Sequence, residues 1–367
     1  MMKMASKRRT DLDFVKGVLI FIVIWGHVCP NSSSVEYTQT WCAFARITAM
    51  FAMPLFFMLS GFFLRPADSL SKLWLQFRKS FWRLVVPFLI WGLIASIFRL
   101  KMWNVHDLGI NGSELGLLFL SKRIIGYIIG FYWYISALIL CILLGQLLFF
   151  VKSKINRKVG WAIIFCSIVL VPCIPTNFVH FTFVWPFYIL GSLMNNCVAV
   201  KESYQKVLTL PIYLIIVIAL GCAFWGYFLY PSDTFYYSSY NPLGGGIIVV
   251  VRYAMYLLST ICALILLQRL YKNKKTPFTD WIAKTGRETL FLYMCHMVVL
   301  FHIYNPIVLS LTNNQGMLPE YPFIRFYVIS TIIAIILFVV LYKLSEITKK
   351  NKFFNTVLMG NHIINKN

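Results

Sequence analysis

Apolar stretches close to the roughly twenty residues needed to cross a bilayer recur from one end of the chain to the other, and this recurrence fixes the fold class before any motif is considered. Ten are read, at about 14–30, 41–64, 81–100, 130–151, 159–175, 181–198, 207–229, 247–269, 288–308 and 323–343. The fifth and sixth are short and carry Pro172, Pro175 and Pro186, which blurs their ends. With 59% hydrophobic and 13% charged residues and a mean hydropathy of +0.74, the chain is not an ordinary soluble domain. The expected fold is an all-α polytopic membrane protein of about ten transmembrane helices.

A net charge of +22 invites a nucleic-acid reading, but the placement of the basic residues argues for topology instead. If the N-terminus is cytoplasmic, the inward segments run from Lys3 to Arg9, Arg65 to Arg83, Lys152 to Lys158, Lys201 to Lys206, Arg269 to Arg287 and Lys343 to Lys366. They hold 26 of the 34 Lys and Arg. The outward loops 31–40, 176–180 and 230–246 hold none, so both termini are expected inside and no nucleic-acid partner is expected. The basic start ahead of an apolar run imitates a secretory signal. Asp11, Asp13 and Lys16 at its mouth, with no small-residue cleavage site after it, make it a retained helix. The nine cysteines show no CxxC and no metal-like spacing, and most lie inside spans as small apolar groups; Cys29 and Cys42 could pair on the outer side.

Within the first span, Lys16 and His27 are eleven residues apart. At about 100° and ~1.5 Å per residue they share nearly one helix face, roughly 16 Å apart. Ionisable groups inside a lipid-spanning helix usually face a cavity or a partner, which makes the pair a functional candidate. The alternative is a lysine snorkelling to headgroups and a histidine capping the far end. Arg46, Arg252, Ser60-Gly61 and His296 are the other polar groups in spans. Tyr293 and His296 share a face, whereas His302 lies about 240° further round from His296. A lone membrane histidine also serves as a helix-to-helix hydrogen bond, the alternative for His296, whereas His106, His180, His302 and His362 fall in loops, span edges or the tail and are read as structural.

The connection 65–83 interleaves Leu73, Leu75, Phe77, Phe81 and Trp82 with Lys72, Arg78, Lys79 and Arg83, a pattern suited to an interfacial helix ahead of the third span. Arg83, nearest the membrane and just before Pro87, is the residue singled out as a phosphate contact. The loop 101–126 is long and mixed in charge, and either covers an exterior opening or tethers two spans. The loop 230–246 is rich in Tyr and Ser, a composition that suits sugar stacking and equally an interfacial tyrosine belt.

Several of these stretches, in order, resemble the integral-membrane acyltransferase-3 family. Leu12-Asp13, Lys16, ten residues and His27 fit its first-helix pattern. Phe56 to Phe62, with Ser60-Gly61, is similar to its FF-x-x-SG-F motif. The basic stretch through Arg83 to Pro87, the Trp133-Tyr134 pair opening span four, and Gly286 through Tyr293 to His296 follow suit, the last resembling its G-x-x-(S/T)-L-x-x-Y-x-x-H signature. The resemblance covers the whole chain. It implies transfer of an acyl group, most often acetyl, from cytoplasmic acyl-CoA (acetyl-CoA) to a hydroxyl of a cell-envelope glycan or lipid-linked sugar, at a bacterial inner membrane. The chain departs from the pattern at Lys16, where Arg is commoner and would offer a bidentate fork. No exterior hydrolase domain is expected after span ten, so the unit is expected to resemble the stand-alone sugar O-acetyltransferases, with a membrane domain over 1–350 and a short tail over 351–367.

The chemistry can be argued beside the resemblance. A sugar hydroxyl attacks a thioester well only if its proton is taken during attack, and a neutral imidazole is suited to accept it. His27 is the expected base. Lys16, Arg83, Ser60 and Gly61 are expected at the donor, and Asp13, Arg46, Trp133 and Tyr293 as substrate or structural support. His296 with Tyr293 would orient the acceptor or stabilise the oxyanion. No metal is expected. The rival classes are a secondary transporter or flippase for a glycan precursor, and a non-catalytic membrane sensor.

Overall fold

A computed structural model of the chain describes residues 8–28, 47–48, 50–102, 117–174, 180–228, 242–307 and 324–361, and every regular element among them is helical. The order is α1 (Thr10–Val28), α2 (Ala52–Phe62), α3 (Leu70–Ser80), α4 (Val86–Met102), α5 (Leu117–Phe131), α6 (Trp133–Lys154), α7 (Arg157–Leu170) and α8 (Phe181–Asn196). It continues with α9 (Val198–Val207), α10 (Ile212–Phe228), α11 (Pro242–Asn273), α12 (Pro277–Thr285), α13 (Thr289–Val299), α14 (Ser330–Lys350) and α15 (Lys352–Met359).

Five stretches among the described residues are long and apolar enough to cross a membrane: Leu70–Arg99, Trp133–Lys154, Tyr253–Asn273, Pro277–Ile307 and Tyr327–Lys350. A sixth is reached if α8 and α9, bent by 96° about Cys197, count as one broken span. Apolar rows on the outside fit a bilayer rather than water. Leu89, Leu93 and Ile97 on α4, and Ile332, Ile336 and Val340 on α14, recur every four residues and stay exposed.

α1 sits at the centre of the bundle and touches α2, α11, α12, α13 and α14. Its apolar residues Leu12, Val15, Leu19, Ile20 and Ile24 are all buried, because a helix enclosed by others needs apolar side chains on every side. Trp25 adds a hydrogen bond from Nε1 to Thr331 Oγ1 at 2.8 Å.

The interfacial helix expected over 65–83 does not stop at the membrane. α3, capped by the Ser69 hydroxyl, runs into α4 through a π-helical turn, Phe81–Val85, since no glycine or proline intervenes before Pro87. Pro87 explains the turn: it has no N–H for the carbonyl four residues earlier, that of Arg83, and a widened turn relieves the ring's clash. The uncovered Arg83 backbone is then packed by α15. Gly360, at φ +70, ends that helix in the left-handed conformation, and a Cβ there would run into the Arg83 carbonyl. Trp91 Nε1 donates to Leu358 O at 3.1 Å, and Met359 is buried. Residues 352–359, expected as tail, are thus a docked helix.

α2 and α8 pack back to back through small residues. A Cβ on Gly61 would collide with the Tyr188 carbonyl, and one on Gly191 with the Met58 carbonyl, so neither helix can retreat side chain first. Replacing either glycine by alanine is expected to cost about 1–3 kcal/mol, the range for overpacking, and to lower the melting temperature of the detergent-solubilised protein. An unshifted melting curve for Gly61→Ala would show that the two backbones are free to part.

Candidate active site

The site is built on α1 and on the segment from Gly286 to α13, which run side by side in the same direction. At the N-terminal end of α1, Asp13 is buried beneath two guanidinium groups, with Arg8 Nε at 2.6 Å and Arg287 Nε at 3.5 Å. Asp11 accepts from Arg9 at 2.8 Å and from Gln268 Nε2 at 2.8 Å. Burial opposes ionisation of Asp11, but the Arg9 guanidinium and the Gln268 amide outweigh it and hold the carboxyl below its usual range. The backbones come closest just inside these pairs. A Cβ on Gly286 would strike the Asp13 carbonyl and approach the Gly17 nitrogen, and one on Gly17 would strike the Ile282 carbonyl.

Ten residues beyond each of these two glycines, about 15 Å along each helix, stands a histidine. The rings of His27 and His296 meet edge to face with centroids 5.3 Å apart. Each is oriented by its own helix: His27 Nδ1 donates to Val23 O at 2.7 Å and His296 Nδ1 to Leu292 O at 3.0 Å. A carbonyl only accepts, so each Nδ1 carries a proton, and in its neutral form each ring presents its lone pair at Nε2. His296 is fully buried and its Nε2 has no hydrogen-bond partner among the described residues, whereas His27 is only partly buried.

Aromatic rings surround the pair. Phe301 lies 5.9 Å from His27, Tyr293 lies 5.5 Å from His296, and Tyr134 lies 5.0 Å from Tyr293. The Tyr132 hydroxyl donates to Met294 O at 3.1 Å and fixes α13 against the start of α6.

A cavity of 1690 Å³ opens beside α1 and reaches inward as far as Tyr293 and Tyr134. Its walls carry ten Lys and Arg side chains, among them Lys16, Lys72, Lys79, Arg83 and Lys201, against the two carboxylates Asp11 and Asp13. Both carboxylates are already ion-paired, so the excess charge faces whatever enters. The Lys16 ammonium lies 4.3 Å from the centre of the Phe63 ring, and Arg83 makes no ion pair among the described residues. Ser60 lines the same wall, its hydroxyl bonded to Phe56 O at 2.8 Å.

Of the residues singled out in the sequence, Asp13, Lys16, Ser60, Arg83 and Tyr293 line this one cavity, and His27 and His296 stand together behind Tyr293. Gly61 is turned to the backbone of α8, and Trp133 packs on His180 at 5.0 Å, away from the cavity. Arg46, His106, His362, Cys29 and Cys42 lie outside the described residues, as do residues 230–241 and the side chain of Arg252. His302 stacks on Phe98 and bonds Tyr127 at 2.9 Å. Tyr134, Tyr188 and Gln146 line the cavity without having been singled out. Tyr134 was visible in the Trp133-Tyr134 pair, but adjacent helical residues point about 100° apart and the sequence does not say which faces in.

The helical bundle thus holds a cation-lined cleft that reaches Tyr293, with two histidines behind that ring. The family described as "Acyltransferase domain" matches residues 9–343, and the chain belongs to this family of membrane acyltransferases. It is similar to the nodulation protein NolL of Sinorhizobium fredii, 25% identical over 197 residues that make up 53% of this chain and 50% of that protein. It is also similar to NolL of Mesorhizobium japonicum, 26% identical over 302 residues, 79% of this chain and 76% of that one. The match thus spans half the length of the first relative and about three quarters of the second. No solved structure matches the chain.

Proposed function

We propose that the protein transfers an acetyl or similar acyl group from cytoplasmic acyl-CoA to a hydroxyl of a cell-envelope glycan or lipid-linked sugar. The observation that carries this reading is the cavity whose basic wall holds Lys16 and Arg83 and whose inner end is Tyr293, with the two histidines behind it. In this proposal the ten spans and cytoplasmic termini drawn from the basic residues hold, residues 1–350 form the transferase unit, and the protein sits in a bacterial inner membrane.

The donor phosphates rest among Lys16, Arg83 and their neighbours, and the arm carries the thioester toward Tyr293. His27 Nε2 takes the proton of the acceptor hydroxyl as that oxygen bonds to the thioester carbonyl carbon. The C–S bond then breaks and the CoA sulfur leaves with a proton. His296, whose Nδ1 hydrogen is committed to Leu292, offers a lone pair rather than a donor, so it accepts from a neighbouring hydroxyl of the acceptor and orients it, while the Tyr293 hydroxyl serves the oxyanion. Asp13 holds Arg8 and Arg287 in place. Ser60 at the donor, Gly61 in the close approach of α2 to α8, and Arg46 and Trp133 as substrate or structural support complete the proposed site.

The test is incubation of the purified protein in detergent with labelled acetyl-CoA and an envelope glycan extract. Labelled glycan is the expected product. Recovery of unlabelled glycan, with uptake of a glycan precursor into proteoliposomes, would replace the transferase by a transporter. Lys16→Met and Arg83→Met are each expected to raise KM for the donor about ten-fold or more, the value of a charge-assisted contact, with kcat little changed. Added salt should move the wild-type KM in the same direction.

A further inference from the structure

One face of α6 lines the cavity from end to end. Tyr134, Leu138, Ile142 and Gln146 follow at intervals of four, from the ring beside Tyr293 toward the basic wall. Gln146 lies about 18 Å along the helix from Tyr134 and about 9 Å short of Lys152. It interrupts the apolar run from Trp133 to Val151, is 94% buried, and its Oε1 has no hydrogen-bond partner among the described residues. Tyr188 closes over the neighbouring Gly145, where a Cβ would crowd the ring, so the Gln146 side chain sits on a fixed wall. A buried carboxamide oxygen with no donor is costly wherever water is scarce, and a bound N–H that meets it recovers that cost.

We propose that Gln146 reads the arm of the donor: its carboxamide oxygen accepts the N–H of the outer amide of the pantetheine chain, the amide nearer the phosphates. The assignment rests on the acyl-CoA reading above. The placement fits it, because Gln146 shares the cavity with the cations that would hold phosphate and is followed along its own helix face, toward Tyr134, by the apolar Ile142 and Leu138. The apolar pair suits the methylenes between the two amides. Gln146 would then discriminate a pantetheine carrier from other anionic compounds that the basic wall attracts without selection.

The test is equilibrium binding to the full-length protein in detergent, with CoA and with a CoA analogue whose outer amide N–H is replaced by an ester oxygen. Wild type is expected to bind the analogue about ten-fold more weakly than CoA. Gln146→Met, close in volume, is expected to bind CoA about ten-fold more weakly than wild type and to treat both compounds alike. Equal binding of the two compounds by wild type overturns the assignment and leaves the donor reading standing. So does a variant that still prefers CoA by the wild-type ratio. Failure of wild type to bind CoA at all overturns the donor reading and the assignment with it.

Discussion

His27→Ala is expected to lower acyl transfer by two to four orders of magnitude while leaving CoA binding within about two-fold of wild type. The size follows from the role. Loss of a general base removes a proton acceptor at the moment of attack, and no other described group stands as ready to replace it. His296 presents the same lone pair, but it is wholly enclosed, whereas His27 is only partly buried. The binding half follows from separation, since the cations of the cavity wall lie a helix length away near Lys16. Transfer and CoA binding measured on the same purified sample decide the matter. Transfer at the wild-type rate would remove His27 from the chemistry, and a parallel loss of binding would make it structural. His296→Ala is expected to fall less far, and unchanged kinetics there would return it to packing.

Gly286→Ala is expected to reduce turnover about a hundred-fold although the residue lies ten positions from the nearest imidazole. The added carbon would meet the Asp13 carbonyl, a backbone atom that cannot turn aside, so α13 must slide or tilt against α1. The two histidines stand at equal distances from this contact, and a shift there is delivered to the ring pair nearly undiminished along rigid helices. Displacement of reacting groups by about 1 Å is enough for a hundred-fold loss. The check is kcat beside KM for the donor: the expected fall lies in kcat. A drop confined to folded yield, with normal turnover in the surviving protein, would show that the contact matters only for stability.

The sequence carried the elements of the site but not their assembly. The Lys16 to His27 interval could be read because a helix converts spacing into direction. The equal interval from Gly286 to His296 was also written in the chain, but that it runs parallel to the first depends on α12 and α13 folding back against α1. Ser60 and Gly61 looked alike as a pair, and the structure separates them: the serine faces the cavity and the glycine meets the Tyr188 carbonyl. Gln146 was hidden in an apolar run, where one polar letter carries no sign of what it faces. The all-helical membrane class was legible in the recurrence of apolar stretches, of which five or six among the described residues are long and apolar enough to cross. The passage of α3 into α4 was not, because a π turn depends on the interplay of Pro87 with the Arg83 carbonyl rather than on composition.

The docking of α15 beside Arg83 has a practical corollary for anyone handling this protein. The family match stops at residue 343, and a designer trimming to that boundary would discard the wedge that Gly360 and Leu358 press against the turn bearing the arginine. A bulky affinity tag joined directly after Gly360 would strain the same joint. Purification handles therefore belong at the other end, or beyond a spacer long enough to leave that last turn undisturbed.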